Sequence, residues 1–232
     1  MKLQKETEEV PGVHGRWYGD ACGTAFAMEL IGERWSLLVV RELMLGARRF
    51  SDLRAGLPGI SAKVLTERLT SLEAAGVLAK RTLPPPGKAQ VYELTDWGYA
   101  AEPVLQETGR WAARSGAHDP TLPLSAASLM MSMRTMVDHA GLVDFAGKQI
   151  GFVVGDECFV AEPEELALPI RRCGTAVGDA IFRAPTASGI AAGFYADIPW
   201  DELERAMGVL IEGDRDLALR FAMLLSLPDK LA

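Results

Sequence analysis

Lys63, Thr66, Glu67, Thr70 and Ser71 are spaced so that one helix face would present them together, and each can exchange hydrogen bonds with a base edge or a phosphate. The other face of the same segment, 61–75, carries Leu65, Leu69 and Leu72 at i, i+4 and i+7. That is the inward stripe of an amphipathic helix. A helix of this kind, laid in a major groove, reads sequence with its solvent face. Ser61 stands where an N-cap belongs, and the free N–H groups behind it, with the helix dipole, suit a phosphate. Arg68 flanks the leucine stripe and serves either a phosphate or packing. Arg48 and Arg49 are candidates for a second phosphate clamp, and Lys88 sits where the tip of a wing would meet the DNA backbone or minor groove.

Charge supports the same surface. Segment 34–94 holds ten Lys and Arg against five Asp and Glu, whereas the whole chain carries −7. Basic residues gathered in one compact stretch of an acidic protein suggest a phosphate-facing patch. Residues 1–118 sum to +1 and residues 119–232 to −8, so the second half would be repelled by nucleic acid. The plain alternative is a solvated charged face on a small helical domain.

Other chemistry is poorly supplied. His14, His118 and His139 are scattered, and no Ser/His/Asp order, phosphate-cradling glycine loop or metal spacing emerges. The clusters Glu162, Glu164, Glu165 and Asp201, Glu202, Glu204 read as solvated carboxylates. The expectation is a non-enzyme without cofactor or metal. Cys22, Cys158 and Cys173 are odd in number and suggest a reducing cytoplasm without a disulfide framework. No apolar run reaches the roughly 20 residues that a membrane helix needs, and 1–10 lacks a secretory pattern, so membrane insertion is not expected. Cys22 lies just before a helix, whose N-terminal dipole would lower its thiol pKa. It is a redox-sensing candidate, against the simpler reading of a small buried side chain.

The elements that must position these residues follow from periodicity and punctuation. Segment 24–31 reads as a short helix. Segment 35–45 reads as a second, ended by Gly46. Ser51 is expected to cap a third helix that ends at Leu57, before the turn at Pro58 and Gly59. Gly76 ends the 61–75 helix. Segments 77–83 and 90–94 read as strands joined by 84–89, a stiff proline-rich loop. Segment 96–114 reads as a helix interrupted at Pro103. In the second half, 125–139 and 200–207 read as helices and 214–227 as a closing helix. Strand-like runs at 149–154, 158–162, 168–172, 180–182 and 209–212 make this half α+β. The domains expected are a tail at 1–19, a DNA-binding and dimerisation domain at 20–114, a linker at 115–123 and an α+β domain at 124–232.

Several stretches carry a family likeness. They are Cys22-Gly23, Ile31-Gly-Glu-Arg-Trp-Ser-Leu-Leu-Val-Val-Arg-Glu-Leu, Gly46-Ala-Arg-Arg-Phe-Ser-Asp-Leu, Leu57-Pro-Gly-Ile-Ser, Leu65-Thr-Glu-Arg-Leu, Leu72-Glu-Ala-Ala-Gly and Tyr92-Glu-Leu-Thr. Together, over about 20–114, they resemble the HxlR-type winged helix-turn-helix regulators. Ala62 departs from the proline that many relatives carry. The resemblance implies a bacterial transcription regulator binding a pseudo-palindromic operator in double-stranded DNA as a homodimer. The dimer would form through 24–31 and 96–114. It also implies electrophile or oxidant sensing by a cysteine near Cys22.

The end of the chain, Trp200-Asp-Glu-Leu, Gly208-Val-Leu-Ile-Glu-Gly-Asp and Arg215-Asp-Leu-Ala-Leu-Arg-Phe, resembles the sterol carrier protein type of lipid-binding domain. The likeness implies an α+β sheet covered by helices around an apolar tunnel, and a hydrophobic small-molecule effector. Met130, Met133 and Met136 would adapt to such a ligand, and Phe152, Phe159, Phe182 and Phe194 would wall it. The alternatives are that these side chains are plain core, or that the domain serves oligomer contacts only. The whole then reads as a mainly α winged helix-turn-helix domain followed by a sterol-carrier-like α+β domain. Its function would be a homodimeric, effector-sensing cytoplasmic regulator. The rivals are a lipid carrier whose helical half makes protein contacts and a redox regulator acting through Cys22.

Overall fold

The computed structural model of the protein describes residues 18–83 and 89–231. The expectations for the tail at 1–17, for the proline loop at 84–88 and for Lys88 lie outside the described residues. The chain divides into two compact units, Met1–Leu43 with Ala47–Ala100, and Met44–Gly46 with Ala101–Ala232. The boundary near residue 100 differs from the expected linker at 115–123.

The first unit runs α1 (Gly23–Ile31), α2 (Ser36–Leu43), α3 (Phe50–Gly56), α4 (Ala62–Ala74), β1 (Leu78–Thr82), β2 (Gln90–Leu94) and α5 (Asp96–Tyr99). Its core takes Val39, Val40 and Leu43 from α2, Leu53 from α3, and Leu65, Leu69 and Leu72 from α4, all at most 1% exposed. Strands β1 and β2 pair antiparallel, Leu78 opposite Leu94 and Thr82 opposite Gln90. Leu78 and Leu94 close the base of this hairpin against the core. An isolated bridge, with Arg48 and Tyr92 exchanging backbone hydrogen bonds of 2.9 and 2.8 Å, fastens the chain before α3 to β2. Helix α3 begins at Phe50 with Arg49 as its N-cap, not at the expected Ser51. Asp52 there accepts from the Arg49 N–H at 3.3 Å, which supplies the cap one turn in.

The expected helix 96–114 is two elements. Thr95 caps α5 through an N–H bond from Gly98 of 3.1 Å and donates its hydroxyl to the Gly76 carbonyl at 2.8 Å. Helix α6 (Glu102–Ala113) then starts with Pro103 in its first turn, where a missing N–H costs nothing. Helix α6 belongs to the second unit.

That unit continues with α7 (Ala126–Met136), a 3-10 helix (His139–Phe145), β3 (Ile150–Val154), β4 (Glu157–Ala161), β5 (Ile170–Cys173) and β6 (Ala180–Ala184). Helices α8 (Ala187–Tyr195) and α9 (Trp200–Met207), strand β7 (Leu210–Gly213) and α10 (Arg215–Ala222) complete it. The strands form one sheet in the order β5-β4-β3-β6-β7. Only β3 and β6 run parallel, and the other neighbours are antiparallel. Phe152 stacks on Phe182 at 5.6 Å between ring centres, Phe152 meets Phe221 of α10, and Phe182 meets Phe194 of α8. One sheet face is thus buried beneath helices, as an α+β layer requires. The 3-10 helix and α8 were not expected from the sequence.

Candidate nucleic-acid interface

Helix α4 is built to offer one face. Ser61 has extended backbone, φ −77° and ψ 153°, and its Oγ accepts the Val64 N–H at 3.2 Å, so it is the N-cap expected. With Leu65, Leu69 and Leu72 buried, Lys63, Thr66, Glu67 and Thr70 are all exposed. Lys63 is the freest, its side chain 86% accessible and 3.9 Å from Glu67 one turn on. The Thr66 hydroxyl donates to the Ala62 carbonyl at 2.9 Å, which fixes its rotamer. The result is a row of one cation, two hydroxyls and one carboxylate along the outer side of the helix.

The arginines divide. Arg49 is exposed at the start of α3. Arg48 is not a surface clamp. It is 8% exposed, bridged to Tyr92 through its backbone, and reaches the Asp52 carbonyl at 3.4 Å with its guanidinium. Arg68 resolves towards packing, because its side chain is only 14% exposed and pairs with Glu33 at 3.0 Å, tying α4 to the turn before α2. At that turn Trp35 adopts φ +80°, a left-handed conformation uncommon for a bulky side chain, and Arg34 lies over its ring at 5.4 Å.

Four further exposed residues of the first unit were not singled out in the sequence: Arg54 on α3, and Lys80, Arg81 and Thr82 on β1. Arg81 pairs with Glu93 across the hairpin at 2.9 Å, and Lys80 lies 5.8 Å from the Tyr92 ring centre. The signal was present as a Lys-Arg pair at the end of a strand-like run.

Cys22 is exposed, which removes the reading of a buried hydrophobe. It holds the N-cap position of α1, and the backbone N–H groups of Thr24 and Ala25 at the helix start lower its thiol below the ordinary cysteine value.

The expected ligand walls are elsewhere than a cavity. Phe152, Phe159, Phe182, Met130 and Met133 are fully buried, Phe194 is 4% exposed, and all pack into the continuous core of the second unit. Met136 is half-buried at the end of α7. A cleft of about 410 Å³ in the same unit is lined instead by Glu102, Gln106, Arg134, His139 and the stretch 166–169. Arg134 holds Glu102 there at 3.0 and 3.1 Å and also donates to the Ile170 carbonyl. Sequence reading missed this cleft because its walls come from α6, α7, the 3-10 helix and the β4–β5 connection. Among the described residues no group of three or more potential metal ligands gathers, and no helix is long and apolar enough to cross a membrane.

Comparison with known proteins bears on the first unit and the start of the second. The HxlR-like helix-turn-helix family matches residues 30–120. The HTH-type transcriptional regulator YvaP of Bacillus subtilis is 41% identical over 86 residues, 37% of this chain and 80% of YvaP. YodB, an HTH-type transcriptional regulator of the same organism, is 38% identical over 86 residues, 37% of this chain and 77% of its own length. The structure of reduced YodB from B. subtilis aligns with 42% of this chain and 98% of YodB, at 35% identity and a TM-score of 0.39. Residues beyond 120 fall outside the family match. With four-fifths of YvaP covered at this identity, and a capped helix, leucine stripe and hairpin in the order the sequence motifs imply, the chain belongs to the HxlR-like helix-turn-helix family of transcriptional regulators.

Proposed function

We infer that this regulator binds a pseudo-palindromic operator as a homodimer and that its second unit senses a small hydrophobic molecule. The observation that carries the DNA reading is the outer face of α4, where Lys63, Thr66, Glu67 and Thr70 stand exposed behind a capped N-terminus. In the major groove these side chains read base edges, while Arg49, Arg54, Lys80 and Arg81 supply phosphate contacts. Exposed apolar side chains support pairing of chains: Phe26 and Met28 on α1, and Val104 and Trp111 on α6, the last 75% exposed. A dyad then sets two α4 helices on half-sites one or more helical turns apart.

For the second unit, a sheet with one face beneath helices is the arrangement that the likeness to sterol carrier domains implies. The cleft beside Arg134 is the place for an effector, with Leu166 and Leu168 as apolar wall and Gln106 and His139 as polar partners. An effector changes operator affinity only by its preference between DNA-competent and incompetent states. A cytoplasmic location and the absence of catalysis belong to the same reading.

The test is binding to duplex from the chain's own upstream region, against scrambled duplex, across a salt series. Log affinity should fall with log salt at a slope near −0.9 per neutralised phosphate. Lys63→Ala should weaken specific binding by about 1–3 kcal/mol if the ammonium meets a base. Lack of preference at every salt concentration would make the lipid carrier the leading reading.

A second reading rests on Cys22, exposed and lowered in pKa. YodB has been solved in a quinone-bound form, and a comparable electrophile is the natural probe here. A Cys22→Ser protein that releases DNA under quinone as fully as the parent would remove Cys22 from the mechanism.

A further inference from the structure

Two of the three cysteines face each other in the second unit. Cys158 on β4 and Cys173 on β5 are register partners in an antiparallel pair, both are free thiols, and both are partly accessible. Their side chains share one side of the sheet. Phe159, the neighbour of Cys158, is buried in the aromatic core, and Arg172, the neighbour of Cys173, lies over the Phe159 ring at 4.7 Å. Alternation along a strand therefore turns both cysteines to the opposite, less covered face.

The register also sets their spacing. The Glu162 N–H donates to the Pro169 carbonyl at 3.0 Å, and hydrogen-bonded pairs recur at every second residue of an antiparallel ladder. Four residues back, Cys158 and Cys173 form another such pair, with Cα atoms about 5.5 Å apart. That Cα separation lies inside the roughly 4.4–6.8 Å range of disulfides, and the Cβ atoms, about 5.5 Å apart in a pair of this kind, must draw in to about 3.5–4.5 Å as the bond closes.

We propose that Cys158 and Cys173 are a dithiol modification site that a peroxide closes to a cross-strand disulfide and a thiol reductant reopens. One thiol gives up its proton and its sulfur attacks a peroxide oxygen; the O–O bond breaks, the leaving hydroxide takes that proton as water, and a sulfenic acid remains. The second thiol attacks that sulfur, the S–O bond breaks, and the leaving hydroxide takes the thiol proton as water. Two thiols and one hydrogen peroxide thus yield one disulfide and two waters. Burial and the neighbouring Cys158 raise the Cys173 thiol, with Arg171 opposing, so Cys173 gives up its proton only as its sulfur attacks, to the hydroxide that leaves. The bond would tie the edge strand β5 to β4 at the open end of their hairpin, whose connection carries the cleft residues 166–169. The site is separate from Cys22 and does not depend on the DNA reading.

The test uses the full chain carrying Cys22→Ser, reduced, then treated with hydrogen peroxide, alkylated in the native state and mapped by mass spectrometry. Free thiols should fall from two to none in a chain that stays single on a non-reducing gel, with the 158 and 173 peptides linked. Dithiothreitol should return both thiols. Adding Cys158→Ser, with the fold checked by circular dichroism, should leave Cys173 open to alkylation. Retention of both thiols, or cross-links only between chains, would overturn the proposal.

Discussion

At the scale of single residues, the structure separates side chains that look alike in the sequence. Arg48 and Arg49 are adjacent basic residues, yet one is buried against β2 and the other faces solvent. The difference arises from the bridge between Arg48 and Tyr92, 44 positions apart, which no local pattern announces. Ser61 was legible because a cap depends on the few residues that follow it. Ser61→Ala should lower stability by about 1 kcal/mol through the lost bond to Val64. A urea midpoint shift at unchanged slope would measure it. Gly98 is more demanding. A Cβ there would lie 2.0 Å from the Val77 carbonyl oxygen, so Gly98→Ala must push α5 off the hairpin base. The expected loss is about 3 kcal/mol, whereas Gly23→Ala, with nothing within 4 Å of the added carbon, should change the denaturation midpoint little.

At the scale of elements, the helices and strands read most clearly where one face is apolar and ends are punctuated. Leu65, Leu69 and Leu72 define α4 without help from any other segment. Helix α8, by contrast, has the sequence Ala-Ser-Gly-Ile-Ala-Ala-Gly-Phe-Tyr, whose small residues carry little periodic contrast. It is helical because the aromatic core accepts it: a Cβ on Gly193 would sit 2.4 Å from the Trp200 ring. Gly193→Ala should therefore displace Trp200 and change the intrinsic fluorescence along with the melting temperature. The sheet's outer face is held partly by ion pairs, and these predict an acid limb. Arg171 lowers the Glu162 carboxyl below its ordinary value, and Arg183 does the same for Glu212. A depressed folded pKa contributes stability above the unfolded value, near 4.3, and loses it as pH falls through the folded one. Denaturation midpoints should fall as pH drops below about 4.3, and Glu212→Gln should flatten that fall. A pH-independent midpoint in the parent would contradict the assignment.

For the whole molecule, the division near residue 100 has a consequence for fragments. Helix α6 is joined to α7 by the Arg134–Glu102 pair and by the Arg110 guanidinium donating to the Thr135 carbonyl at 2.9 Å. The Lys230 ammonium also donates to the Ala113 carbonyl at 2.9 Å. A fragment of residues 101–232 should melt cooperatively and about 5 °C or more above one of residues 119–232, which loses all three contacts. Equal melting temperatures would show α6 to be dispensable there. Taken alone, the sequence determined the order of elements in the first unit, the charge contrast between the halves and the family likeness. The order and the likeness rest on local periodicity, capping and short motifs that neighbouring residues carry among themselves, and the charge contrast rests on composition alone. Only the tertiary structure decided that Arg48 and Arg68 are packed, that the phenylalanines form core, that a cleft opens beside Arg134 and that Cys158 faces Cys173. Each depends on which distant segments meet, and strand register is set by burial of one sheet face across the whole unit.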